Sequence, residues 1–203
     1  STTLPSESVT DIAFWESKWV QIPEQEMFVE SKWIPIASFK ILETEITQLM
    51  YAEVLDTLPP QKELKENYPV ASVSWYDAIL FCNALSKNLG YDTAYRYSSI
   101  GPKNTLLNLT FVDSIQSVRL PTNIEWEAAI RGTTTTEYFW GTGNASEFAH
   151  YGSTGGAIEV GQKRVNSYGL YDMAGNVHEW VYDWDGPYGT TVGSKRIYRG
   201  GSW

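Results

Sequence analysis

At 203 residues the chain fits one domain and can bury a single substantial core. A formal net charge of −9 argues against nucleic acid or an anionic membrane as partner, because both require clustered Lys and Arg, and no such cluster is present. No apolar run is long enough to span a membrane, and a single cysteine, Cys82, cannot form an intramolecular disulfide or a cysteine-based metal site.

From Ala13 to Phe39, short apolar stretches such as WVQIP and WIPIASF predict strands. The segment TEITQLMYAEVL predicts a first helix with Thr47 as N-cap, stopped by Pro59 and Pro60. Lys and Glu residues between Gln61 and Glu66 read as a solvated linker. A clearer helix follows in VSWYDAILFCNALSKNLGY, where Ser74 and Asp77 form a capping-box start and Gly90 is the C-cap. Ala78, Phe81, Cys82 and Leu85 fall on one stripe of it, so Cys82 reads as a small buried hydrophobe.

Residues 94–118 alternate polar and apolar positions around turn residues, which predicts a hairpin. In RLPTNIEWEAAIRG, Thr122 and Glu125 form a capping box for a third helix, and Gly132 closes it. Thr133 to Tyr168 is a long irregular excursion of Gly, Thr, Ser and Asn. Such a stretch inside a domain is functional, metal-stabilised or tied down by aromatics. RIYRGGSW reads as a final strand. The order describes one α+β domain dominated by loops.

The densest chemistry lies in GLYDMAGNVHEWVYDW, Gly169 to Trp184. Asp172 and Glu179 flank a Gly175-Asn176 turn, so two carboxylates and several main-chain carbonyls can converge on one point. Oxygen ligands from a tight loop are what calcium prefers. The competing reading is that these acids cap turns and pair with arginine. His178 reads as a surface or packing residue, since no second histidine lies at metal-ligand spacing. Trp180 and Trp184 read as core or loop anchors, and Asp183 and Asp185 as loop-capping acids before the Gly186-Pro187 turn.

Four ordered segments resemble the family of formylglycine-generating enzymes and sulfatase-modifying factors. They are YPVASVSWYDAILFCNALS, VRLPTNIEWEAAIRG with the following YFWG, YGLYDMAGNVHEWVYDW, and RIYRGGSW. SFKILETEITQLMYAEVL is a weaker fifth, and the set spans Trp19 to Trp203. The resemblance implies a C-type-lectin-like fold, with two to three helices on a small twisted antiparallel sheet and large loops over much of the surface. It also implies a structural calcium ion, held by the side chains of Asp172 and Glu179 and by the carbonyls of Gly175 and Val177. A second calcium site of the family draws on the preceding loop. Here that loop, FAHYGSTGGAIEV, is short and has His150 where an Asn is expected, so that site is not carried over.

Enzymes of this family oxidise a substrate cysteine to formylglycine with molecular oxygen, using copper(I) on two of their own cysteines, and soft thiolates suit that ion. The family pair lies shortly after the GGS motif, whereas this sequence stops at Trp203 and Cys82 matches a structural helix position. Catalytic residues and copper are therefore not expected, and the domain reads as lacking its C-terminal segment. The variable proteins of diversity-generating retroelements resemble the same family and place ligand-contacting residues just after RGGSW. The sequence thus predicts a monomeric, non-catalytic scaffold for ligand binding or display, with one structural calcium. Binding would come from Tyr, Trp and Asn on a rigid face, in a chain that is 14% aromatic. The alternative is the copper oxidase, its cysteine pair lying beyond residue 203. A structural domain of a larger surface protein is a third reading. An iron-dependent sulfoxide synthase is disfavoured by the two histidines. The compartment stays open, with a bacterial cell-surface or secreted location as the expectation.

Overall fold

A helix is the first element of the described residues, where strands were expected. In the computed structural model, which describes residues 8, 9, 11–57, 60 and 63–203, α1 (Ile12–Lys18) precedes the first strand. Its anchor is Trp15, almost fully buried, whose indole Nε1 donates to the Val9 carbonyl at 2.8 Å. At Trp19 the backbone turns extended and runs straight into β1 (Trp19–Ile22). The hairpin β2 (Gln25–Val29) and β3 (Lys32–Ile36) follows, turning through Glu30 and Ser31 at positive φ. β4 (Phe39–Leu42) then returns antiparallel along β1.

The three capped helices form where their local chemistry places them. Thr47 Oγ1 accepts the Met50 amide at 3.2 Å and starts α2 (Gln48–Leu55). Its reciprocal partner is a thioether, Met50 Sδ, rather than a carboxylate. This helix stops at Asp56, which takes the left-handed conformation at φ 49°, before the prolines that were expected to end it. Pro59 and Gln61 lie outside the described residues. α3 (Trp75–Asn88) carries the complete Ser74–Asp77 capping box. Between α3 and the next helix, β5 (Tyr95–Arg96) pairs with β8 (Thr110–Phe111), and β6 (Ser99–Ile100) with β7 (Leu106–Leu107), forming the expected hairpin. α4 (Asn123–Arg131) has the Thr122–Glu125 box, and Arg119 grips the Glu125 carboxylate with two bonds of 2.7 Å.

β9 (Glu179–Trp184) pairs antiparallel with β10 (Arg196–Arg199) across a bulge between Arg196 and Tyr198. β10 is the expected last strand; β9 was not anticipated, and it gives Trp180 and Trp184 a ladder rather than a loop. Asp183 also departs from its expected role. Its Oδ2 accepts the Asn123 amide at 2.6 Å and so caps the N-terminus of α4 from another element. All strand pairings are antiparallel, in five two-stranded ribbons among the described residues.

The core has two centres. One joins α2 and α3, where Tyr51 stacks on Phe81 at 5.8 Å, and extends to Trp15, Tyr95 and Leu120. The other gathers Ile22, Trp126, Ala129, Leu170, Met173 and Val181 beneath β9 and α4. Each large apolar side chain fully buried in this way contributes about 1.5–3 kcal/mol relative to exposure. Cys82 belongs to the first centre, 5% exposed, with burial pushing its thiol up to about 12. It is the buried small hydrophobe its helical position implied. The long excursion is tied down by aromatics: Tyr138 and Phe148 both stack on Trp140, and the Arg164 guanidinium lies over Phe148. No described helix is long and apolar enough to cross a membrane.

Candidate metal centre

The loop between Leu170 and β9 is built by local turns and then pinned by distant segments. Asp172 and Asn176 sit at positive φ, 54° and 57°, and Gly175 at 89°. The Gly175 amide donates to the Gly200 carbonyl at 2.7 Å, and the Asn176 amide to the His150 carbonyl at 2.8 Å. The Asn176 side chain, fully buried, bonds both the amide and the carbonyl of Ile158. Three distant parts of the chain therefore hold one loop.

Two of the expected ligands carry carboxylates, that of Asp172 buried and that of Glu179 half-buried. Asp172 is 2% exposed; its Oδ2 accepts the Gly161 amide at 2.6 Å, while its Oδ1 is buried without any hydrogen-bond partner. An orphaned carboxylate oxygen of this kind costs free energy unless something cationic meets it. Glu179 Oε2 accepts the Trp126 indole Nε1 at 2.8 Å. Burial, and then the nearby Asp172 charge, raise the Glu179 carboxyl to about 7. Burial also raises Asp172 above its ordinary value.

One of the two expected main-chain oxygens lies near the Glu179 carboxylate. A Cβ placed on Gly200 would lie 3.6 Å from the Val177 carbonyl oxygen and 3.7 Å from Glu179 Oε1, so both oxygens face the same spot beside that glycine. The Asn176 amide is engaged by His150, and a planar trans peptide then directs the Gly175 carbonyl the opposite way. Among the described residues no three Asp, Glu, His or Cys side chains group closely enough to hold a metal by themselves. Any cation here needs the mixed set of two carboxylates and main-chain carbonyls. Hard oxygen donors of this kind suit calcium in chemistry and charge.

A third carboxylate, absent from the sequence-based set, reaches the same loop. Glu45, between β4 and α2, is 8% exposed. Its Oε1 accepts the Val177 amide at 3.0 Å and its Oε2 accepts Asn176 Nδ2 at 2.7 Å. Burial, then the charges of Glu179 and Asp172, raise its carboxyl well above the usual range. It lies in the weaker fifth resembling segment, but the local pattern LETEIT gives it no role, because that role arises from a contact 132 residues away.

The other singled-out residues fall outside this centre. His178 is exposed and meets Tyr198 edge-on at 4.5 Å, as a surface histidine. The Trp180 indole donates to the Val73 carbonyl at 3.0 Å and packs edge-on against Tyr198. Trp184 and Trp75 sandwich the Arg196 guanidinium at 3.5 and 3.6 Å, which fastens β10 to α3. Tyr198 and Trp203 remain 55% and 42% exposed near His178. Beside the loop lies a cleft of about 720 Å³ whose walls include Trp19, Phe39, Tyr91 and Trp180.

The arrangement matches known proteins along nearly its whole length. Chaperone protein LppX of Paenibacillus barcinonensis is 33% identical over 199 residues, covering 84% of this chain and 71% of that protein. The formylglycine-generating enzyme of Mus musculus is 29% identical over 165 residues, which is 68% of this chain but 36% of the enzyme. Among solved structures, Treponema denticola variable protein 1 superposes with a TM-score of 0.74 at 28% identity, covering 92% of this chain and 83% of that one. The fold is α+β and C-type-lectin-like. Residues 20–203 match the Sulfatase-modifying factor enzyme 1-like domain, and the chain belongs to that family.

Proposed function

We propose that this domain is a non-catalytic scaffold for ligand binding or display, stiffened by one calcium ion on Asp172, Glu179 and the carbonyls of Gly175 and Val177. The observation that carries the binding half is the likeness to variable protein 1 over 92% of the chain. A relative whose name describes a chaperone points the same way, toward a partner held rather than a bond made. The unpartnered, buried Asp172 Oδ1 supports the calcium half. Ligand contact falls to the exposed aromatics around Tyr198 and Trp203, which offer large area at low entropic cost.

The likeness to formylglycine-generating enzymes keeps a second reading in view, a copper-dependent oxidase whose cysteine pair lies beyond residue 203. Cys82 cannot serve that chemistry, since its thiol is buried and held protonated. Incubating a cysteine-containing peptide, copper(I) and oxygen with the protein expressed from the full coding sequence, any segment beyond residue 203 included, separates the two readings. The scaffold yields no aldehyde on the peptide above a copper-only control, whereas an aldehyde product restores the oxidase. For the binding half, the protein is screened on glycan and protein arrays beside the Tyr198→Ala/Trp203→Ala double variant. Hits that survive the double substitution move the contact away from this surface.

A further inference from the structure

We propose that Glu45 is the positioning residue of the cation loop: it fixes the peptide that separates the two main-chain ligands, without itself touching the ion. This rests on the calcium reading above and extends it to a residue outside the loop.

Both Glu45 oxygens are already committed. Oε1 takes the Val177 amide at 3.0 Å, and Oε2 takes the Asn176 side-chain amide at 2.7 Å. The peptide between Asn176 and Val177 lies between the Gly175 and Val177 carbonyls, the two main-chain oxygens of the calcium reading. A planar unit held at its N–H is restrained as a whole, which narrows the φ and ψ through which the Gly175 and Val177 carbonyls on either side are set. Its opposite edge is held as well, because the Asn176 carbonyl accepts the Trp203 amide at 3.2 Å. Removing Glu45 frees one edge of that unit and strips the buried Asn176 side chain of one partner. Groups that orient metal ligands in this way affect affinity without ligating.

Position in the fold explains why this residue serves. Glu45 sits just ahead of the capped start of α2, where Thr47 fixes the backbone. Next to it, the Glu43 carbonyl accepts the Tyr171 amide at 2.8 Å, so the β4–α2 connection already runs along the loop. A carboxylate from that connection reaches the loop with its own backbone held rigid.

The test uses terbium(III), a hard cation that occupies calcium sites and luminesces when a nearby indole is excited. Trp126 is a suitable sensitiser, its Nε1 lying 2.8 Å from Glu179 Oε2. Terbium titration and calcium competition are run on the full chain, on Glu45→Gln, Glu45→Ala and Glu43→Gln, with far-ultraviolet circular dichroism to check folding. Glu43 bonds Lys18 through its side chain and serves as control. We expect affinity to fall roughly 10- to 100-fold in Glu45→Ala, less in Glu45→Gln, which keeps one acceptor, and not at all in Glu43→Gln. Should Glu45→Ala fail to fold, Glu45→Gln carries the result. A folded Glu45→Gln that binds terbium and calcium as tightly as the unaltered chain overturns the positioning role and leaves the calcium reading standing. Absence of terbium luminescence and calcium competition in the unaltered chain overturns both.

Discussion

Gly175 packs against His150 so closely that no side chain fits between them: a Cβ on Gly175 would lie 2.1 Å from the His150 carbonyl oxygen. The obstacle is backbone, which cannot rotate aside, and φ at Gly175 is +89°. Gly175→Ala is expected to destabilise the chain by more than about 3 kcal/mol, combining the left-handed penalty with the clash. Gly152→Ala, also at positive φ but with open space around its Cβ, should cost only about 1–2 kcal/mol. Urea midpoints of the two variants measure the difference, and equal midpoints would mean that the loop can yield.

Asp172→Ala and Glu179→Ala should each abolish most of the stabilisation that calcium confers. Binding to the folded state alone adds about 2.7 kcal/mol at a hundredfold excess over Kd. Thermal melts in EDTA and in millimolar calcium would therefore separate widely for the unaltered chain and nearly coincide for the variants. A variant that keeps the full calcium response puts the ligands elsewhere.

Stability without calcium should fall as pH rises toward neutrality. The Glu179 carboxyl, raised to about 7 by burial and then by Asp172, keeps its proton in the folded chain where the unfolded chain, at 4.5, has lost it. The folded state therefore binds more protons between about pH 4.5 and 7, and stability declines through that window. Glu45 and Asp172 shift in the same direction. Glu125 shifts the other way: burial raises it, but the Arg119 guanidinium outweighs that, so its contribution is lost only as pH falls below 4.5. In EDTA the urea midpoint should be higher at pH 5.5 than at pH 7.5, and calcium should erase that gap. A midpoint that climbs from pH 5.5 to 7.5 in EDTA contradicts the buried-acid account.

Asp183→Ala removes the carboxylate that meets the Asn123 amide at the start of α4. A lost helix cap of this kind costs about 1 kcal/mol. Asp185→Ala, whose side chain makes no such contact with α4, serves as the comparison in the same denaturant series.

The sequence displayed most of the helical half of this fold. Thr47, Ser74 and Thr122 announce helices because a capping bond is made within a few residues, and such chemistry is visible in a string of letters. α1 was hidden because Trp15 becomes a helix anchor only through its bond to Val9 and its place in the first core centre. β9 was hidden for a different reason. Its residues are at least partly buried on both faces, so EWVYDW shows none of the alternation that marks a half-buried strand. Within the site, Asp172, Gly175, Val177 and Glu179 fall in one short stretch of sequence and could be read together through resemblance. Glu45, His150, Gly161 and Gly200 could not, since only the folded chain brings them to it.

That dispersal bears on the order of events in folding. The loop is closed by residues near positions 45, 150, 161 and 200, so it takes its final shape only after nearly the whole chain has met. Contacts absent from the folding transition state act on the reverse rate. A cation held in this loop would accordingly leave the speed of folding almost unchanged and act as a latch, lengthening the lifetime of the folded domain.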